Sequence, residues 1–249
     1  MLVENKRGGY SFLKGISPYS AGAVAQPGFA IEHARLRVPL ALTAGFDTID
    51  AHLESLHRPR VALCGIELRS PQPFTFQGFS DFNARYVAIL KGWELLQDGL
   101  NPIARTNVAP EIGPPDEPAL FGFSYTVVSA NARASFVVAG AGELPEGSLD
   151  PHDVVRRGET SNEALREKAR FVMSLMGGRI RGLGAEWADV TQTNLYTVHS
   201  VCPWLNSEIL GKMGSAQLQG VNWYLARPPI VSIEFEMDLR GVGREIIIS

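Results

Sequence analysis

Three carboxylates stand two residues apart near the end of the chain. In "VSIEFEMDL", Val231 to Leu239, Glu234, Glu236 and Asp238 alternate with Ile233, Phe235, Met237 and Leu239. That period predicts a strand with one face in a core. Side chains two apart on a strand share a face and lie about 6.5–7 Å from each other. Acids so placed repel unless water screens them, cations pair with them, or one of them handles protons. A Mg²⁺ or Ca²⁺ site needs carboxylates converging on one point. These diverge along a strand, so no metal site is expected. Arg227, Arg240 and Arg244 are near in sequence, and they give Glu236 and Asp238 partners for a structural charge ladder.

The remaining reactive side chains are sparse. Cys64 and Cys202 are too few for a disulfide framework and read as buried free thiols. His33, His52, His57, His152 and His199 are scattered, without the spacing of a zinc site. No Walker loop, GxGxxG or GxSxG occurs, so no cofactor is expected. The net charge of −3 provides no basic stripe for a phosphate backbone, which argues against a nucleic-acid partner. No apolar run approaches the roughly 18 residues of a membrane span. "MLVENKRGGYSF" has charges with no apolar stretch behind them, so no signal peptide is expected and the chain reads as cytosolic. A hydrophobic share of 45% over 249 residues suffices for one large core or two ordinary ones.

The elements that must position any site recur twice. In the first half "GFAIEHARLRV" is strand-like, and "FDTIDAHLESL" places Phe46, Ile49, Leu53 and Leu56 at helical spacing. "RVALCGIEL" is a strand, "GFSDFNARYVAILKGWELL" an amphipathic helix, and "NPIARTNV" and "ALFGFSYTVV" are two further strands. "VVSANARAS", Val127 to Ser135, is the expected junction.

The second half repeats the order. "SFVVAGAGELPEG" is a strand entering a glycine turn. Thr160 and Glu163 offer a capping box for a helix whose apolar face is Leu165, Ala169, Val172, Met176, Ile180 and Leu183. "DVTQTNLYTVHSV" reads as a strand, "PWLNSEILGKMG" as a short helix, and "VNWYLARPP" and "VSIEFEMDL" as the closing strands. The pattern predicts an α+β protein of two tandem β-α-β-α-β-β domains, 1–130 and 131–249, each with helices on one face of a mixed sheet.

This pattern resembles the RidA family, also called YjgF or endoribonuclease L-PSP-like. "ISPYSAG" is similar to its G-P-Y segment, with Tyr19 at the aromatic position. "DFNARYVAIL" resembles its second helix through Asn83 and Tyr86, and "PIARTNV" its P-x-R motif through Arg105. "VAGAGELP" resembles the S-G-Q-I-P turn, with Gly140 and Gly142, and "VSIEFEMDL" the last strand, with Glu234 at the pocket acid. "GLGAEWADVTQTNLYTVHSV" resembles the helix-to-strand passage. Neither half keeps a full set. The first lacks the last-strand acid, and the second lacks the arginine and the G-P-Y segment.

The resemblance implies a chorismate-mutase-like fold, a homo-oligomer (usually a trimer), and one composite site drawn from both halves. There Arg105 would grip the carboxylate of a small imine or enamine, as a planar guanidinium does better than an ammonium. Glu234 would activate water and return the proton to the departing amine. Tyr19, Asn83, Gly140 and Gly142 would line the substrate pocket. Taken alone, each of these residues also has a structural role open to it: a surface ion pair for Arg105, a turn brace for Asn83, ordinary packing for Tyr19, a strand ion pair for Glu234. A non-catalytic small-molecule binder and a chorismatase-like hydrolase therefore stand beside the enamine/imine deaminase as alternatives.

Overall fold

The computed structural model describes residues 2–130, 134–148 and 150–248; the expected junction falls partly on 131–133, outside them. The strands of the described residues, in chain order, are β1 (Leu2–Asn5), β2 (Tyr10–Leu13), β3 (Gly22–Ala25), β4 (Phe29–Ala41), β5 (Leu63–Arg69), β6 (Ala104–Pro110), β7 (Ala119–Val128), β8 (Phe136–Gly142), β9 (Gln192–Tyr196), β10 (Asn222–Tyr224), β11 (Ala226–Arg227), β12 (Glu236–Gly241) and β13 (Glu245–Ile248). The α-helices are α1 (Leu42–Ser55), α2 (Phe76–Gly92) and α3 (Asn162–Gly182).

Helices α2 and α3 form where an apolar stripe meets a cap, whereas α1 has the stripe, Phe46, Ile49 and Leu53, without a side-chain cap. The Thr75 hydroxyl accepts the Gly78 N–H at 3.0 Å and starts α2, which buries Phe79, Phe82, Tyr86 and Leu90. On α3 the cap is Ser161, which accepts the Ala164 N–H at 3.2 Å, rather than the Thr160 of the expected capping box. Gly184, at φ +76°, takes the left-handed conformation just past the end of α3. Burying Val172, Met176 and Ile180 stabilises the helix by roughly 1.5–3 kcal/mol each.

Both halves carry one strand order. β4-β7-β5-β6 and β8-β12-β9-β10 run in the same sequence relative to the chain. In each, the third and fourth strands pair parallel, β5 with β6 and β9 with β10, and the other pairs are antiparallel. The ends of the chain cross over. β1, β2 and β3 extend the second-half sheet beyond β8, whereas β11 and β13 flank the first-half sheet. These N-terminal strands and β13 carry no sequence expectation.

The two sheets face one another with helices outside. Phe136, Leu195, Met237 and Leu239 pack against α3, while Ile66, Leu68, Leu120 and Phe123 pack under α1 and α2. Between the sheets lies an apolar patch of Tyr10, Phe12, Ile31, Cys64, Ala104 and Val137. Beside it an ionic contact joins Arg240 Nη1 to Glu67 Oε1 at 2.8 Å, from β12 to β5.

Several expected elements shorten. "VSIEFEMDL" is a strand only from Glu236. Pro228 and Pro229 precede it, and Ser232 at φ 80° turns the backbone out of the extended region. The strand in "DVTQTNLYTVHSV" is confined to β9. The helix expected in "PWLNSEILGKMG" is a π-type turn, Leu205–Ile209, followed by 3₁₀ turns at Leu210–Lys212 and Gly214–Gln219. Cys64 is buried but Cys202 is exposed, against the expectation of two buried thiols. No described helix is long and apolar enough to cross a membrane.

Candidate active site

A cavity of about 70 Å³ opens where β6 of one sheet meets β8 and β12 of the other, and its lining includes Tyr19, Arg105, Gly140, Gly142, Arg179 and Glu236. It is several times the roughly 10–15 Å³ that one water requires.

Arg105 comes from β6 and is 2% exposed. Its Nη2 donates to Asn83 Oδ1 of α2 at 2.7 Å. The guanidinium carbon lies 4.7 Å from the ring centres of both Tyr19 and Tyr86. These aromatic faces hold a cation without neutralising it. Nη1 is buried and has no hydrogen-bond partner among the described residues. An arginine held this way is a charged donor lacking its anion, and a carboxylate would supply one.

Glu236 is the first residue of β12 and is 4% exposed. Burial pushes its carboxyl well above the usual carboxylate range, and the nearby Asp238 charge adds to the shift, against the pull of Arg179 and Arg105. The proton-bearing form therefore persists to higher pH than in water. Asp238, one step deeper, is itself raised to about 6 by burial and by Glu67. It accepts from Asn194 Nδ2 at 2.8 Å and the Tyr196 hydroxyl at 2.9 Å.

The glycines of β8 make room for this acid. A Cβ on Gly140 would overlap the Glu236 Oε1 atom, and one on Gly142 would stand 2.5 Å from Ile233 Cγ2. Both contacts exclude larger side chains; the first lets Glu236 lie against the strand, the second seats Ile233.

The expected site residues separate into three groups. Tyr19, Arg105, Gly140 and Gly142 line the cavity. Asn83 is a brace, acting through its bond to Arg105. Glu234 lies off the cavity in the turn before β12, where His199 Nε2 meets its Oε2 at 2.8 Å. Of the alternating acids the one at the cavity is Glu236. Alternation assigns a face, but only the packing of the second sheet decides which residue on that face is level with Arg105.

Arg179 and its partner Glu146 were absent from the sequence expectation, although both line the cavity. A signal for Arg179 did exist. It falls three residues after Met176 and one before Ile180, on the mostly apolar buried stripe of α3, so a buried partner was implied.

A second point of contact between the halves is filled. The Arg69 guanidinium lies 3.8 Å from the Phe121 ring centre and about 5.5 Å from those of Tyr196 and Tyr224. Phe121 from β7 and Tyr224 from β10 meet edge to face at 6.4 Å. Aromatic bulk occupies that region, whereas the Arg105 region is open.

Comparison with known proteins finds relatives that match nearly the whole chain. The family model of 2-aminomuconate deaminase CnbZ matches residues 2–246. A 2-amino-5-chloromuconate deaminase of Comamonas testosteroni is 43% identical over 244 residues, 97% of this chain and 96% of the relative. Among solved structures, a chorismatase superposes with a TM-score of 0.52 at 11% identity, over 89% of this chain and 77% of that one, and shares the fold. The YjgF gene product of E. coli aligns over 44% of this chain and 81% of its own, with a TM-score of 0.30 at 13% identity.

Proposed function

The chain belongs to the 2-aminomuconate deaminase CnbZ family, and on that premise we propose that it hydrolyses a small carboxylate-bearing enamine or imine to the keto acid and ammonia at the Arg105–Glu236 cavity. The observation that carries this reading is the meeting, in one cavity, of a buried arginine donor lacking an anion and a buried carboxyl whose burial favours its protonated form. Aminomuconates, the compounds named for the family and for the Comamonas relative, are the first substrates to examine.

Arg105 holds the carboxylate next to the reacting carbon. Protonated Glu236 delivers its proton to the enamine carbon, which leaves an iminium and a Glu236 carboxylate. That carboxylate takes a proton from water as the oxygen bonds to the iminium carbon, giving a carbinolamine. The same proton then passes to nitrogen. The C–N bond breaks, ammonia leaves, and the hydroxyl proton returns to Glu236 as the carbonyl forms. One acid thus serves the whole cycle, and it begins and ends protonated.

The repeated strand order supports reading 1–130 and 131–249 as two fused copies of one unit. We also place the protein in the cytoplasm as a homo-oligomer, a trimer by the family resemblance. The support for an oligomer is that Trp223 and Ile247, on the edge strands β10 and β13, and nearby Leu225 leave apolar surface exposed.

The test is ammonia release from 2-aminomuconate and from freshly generated 2-aminoacrylate by wild type, Arg105→Ala, Glu236→Gln and Glu234→Gln. Loss in the first two variants with activity kept in Glu234→Gln supports the assignment. Activity retained in Glu236→Gln would remove Glu236 from the mechanism. No acceleration by wild type on either substrate would remove the deaminase reading.

A further inference from the structure

The cavity contains a second arginine, and it is already occupied by a carboxylate. Arg179 projects from the last turn of α3 and its side chain is 8% exposed. Its Nη1 donates to the Ala139 carbonyl of β8 at 2.8 Å, which fixes the plane of the guanidinium. The free edge of that plane faces Glu146, with Nε to Oε1 at 2.6 Å and Nη2 to Oε2 at 3.0 Å. This is the two-point fork by which arginine recognises a carboxylate.

The two partners differ in anchorage. Arg179 is tied to a strand, whereas the Glu146 side chain is 48% exposed. Glu146 belongs to the segment Leu144–Ser148, which lines the cavity and turns at Gly147 with φ +81°. A carboxylate entering the cavity can replace Glu146 with charge and hydrogen bonds conserved, and the displaced Glu146 has water to enter. The exchange therefore costs little. The same argument does not apply to Arg105, whose donor has no carboxylate to displace.

Building on the deaminase reading, we propose that Arg179 receives a second carboxylate of the substrate in place of Glu146, so that the cavity selects dicarboxylates. Arg105 takes the carboxylate beside the reacting carbon and Arg179 takes the distal one. Glu146 occupies the distal position when no substrate, or a monocarboxylate, is bound. Arg179 is then the residue that determines specificity.

Two unreactive six-carbon dienes isolate this step from the chemistry: muconate, with a carboxylate at each end, and sorbate, with one. Titration calorimetry on the full-length protein is expected to show muconate binding at least about tenfold more tightly than sorbate. In Arg179→Lys, which keeps charge but loses the fork, muconate affinity falls about tenfold and sorbate affinity moves less than about twofold. In Glu146→Gln, which leaves Arg179 with a weaker neutral partner, muconate binds several-fold more tightly than to wild type while sorbate is unchanged. Equal affinities for the two compounds in wild type, or equal losses in Arg179→Lys, would overturn the proposal. Should Arg179→Lys fail to fold, the absence of a muconate gain in Glu146→Gln does the same. A wild type that prefers muconate yet releases no ammonia from 2-aminomuconate would sink the deaminase reading while leaving the Arg179 assignment standing.

Discussion

Lys168 Nζ stands 2.9 Å from Glu143 Oε1, and both side chains are fully buried. The Glu143 carboxylate also accepts the backbone N–H groups of Glu234 at 2.7 Å and Phe235 at 3.0 Å. The pair therefore clamps the two residues immediately before Glu236. A helix cation thus positions Glu236, the acid proposed for catalysis, through the backbone and without touching the cavity.

Removing Lys168 leaves a buried carboxylate without its countercharge. Lys168→Met is expected to lower the unfolding free energy by about 3–5 kcal/mol, measured by urea denaturation. Burial already raises the Glu143 pKa, and Lys168 opposes that shift. Without the lysine the folded pKa rises further, while the unfolded pKa keeps its ordinary value. A group raised on folding contributes stability at low pH and loses it as pH climbs through the folded pKa. The variant's deficit should therefore grow from pH 5 to pH 8. A deficit that is flat with pH would show that Glu143 does not titrate in that window.

Asn83 reaches the substrate only through Arg105. Asn83→Leu removes a hydrogen bond to a charged donor, worth about 1.5–3 kcal/mol, and leaves Nη2 as unpaired as Nη1. The expected outcome is a fall in kcat/KM of roughly 10- to 100-fold, carried mainly by KM because the carboxylate grip loosens. Steady-state kinetics on 2-aminomuconate checks it. A fall confined to kcat would assign Asn83 to the chemical step instead.

Gly140→Ala puts a methyl where the Glu236 carboxyl lies. Arg105 is untouched, so substrate should still bind, but the acid must swing away from the reacting carbon. Displacements of this kind cost on the order of 100-fold in rate. The prediction is a kcat loss of that size with KM within about threefold, and it fails if kcat holds.

What the sequence disclosed follows from which signals are local. Helix and strand order in the first half and the apolar stripe of α3 rest on short-range spacing, and the structure contains both; Arg105 is singled out by its resemblance to a family motif, and the structure places it at the cavity. Three things depended on contacts between distant segments. Which of Glu234 and Glu236 reaches the cavity is set by the opposing sheet and by the turn at Ser232. The N-terminal strands join the second-half sheet through β3, which pairs with β8 more than one hundred residues away, so nothing near β3 in sequence records that partner. Lys168 and Arg179 both occupy positions on an apolar helix face, a pattern that calls for buried acids, but the acids themselves, Glu143 and Glu146, lie on the turn after β8.

The pH dependence of catalysis offers the most direct test of Glu236. The cycle starts from its protonated form, so kcat/KM should hold at low pH and fall on the alkaline side as the carboxyl ionises. Burial and Asp238 place that ionisation well above the usual carboxylate range. Asp238→Asn removes the neighbouring negative charge, so the Glu236 pKa drops and the alkaline limb moves to lower pH. Stability carries the same sign. Because the folded pKa exceeds the unfolded one, Glu236 costs stability once pH rises above the unfolded value, and the cost grows up to the folded value. Glu236→Gln should therefore be inactive yet more resistant to denaturant than wild type at pH 8, with the difference shrinking toward pH 4. An alkaline limb that stays in place in Asp238→Asn would show that the titrating group lies elsewhere.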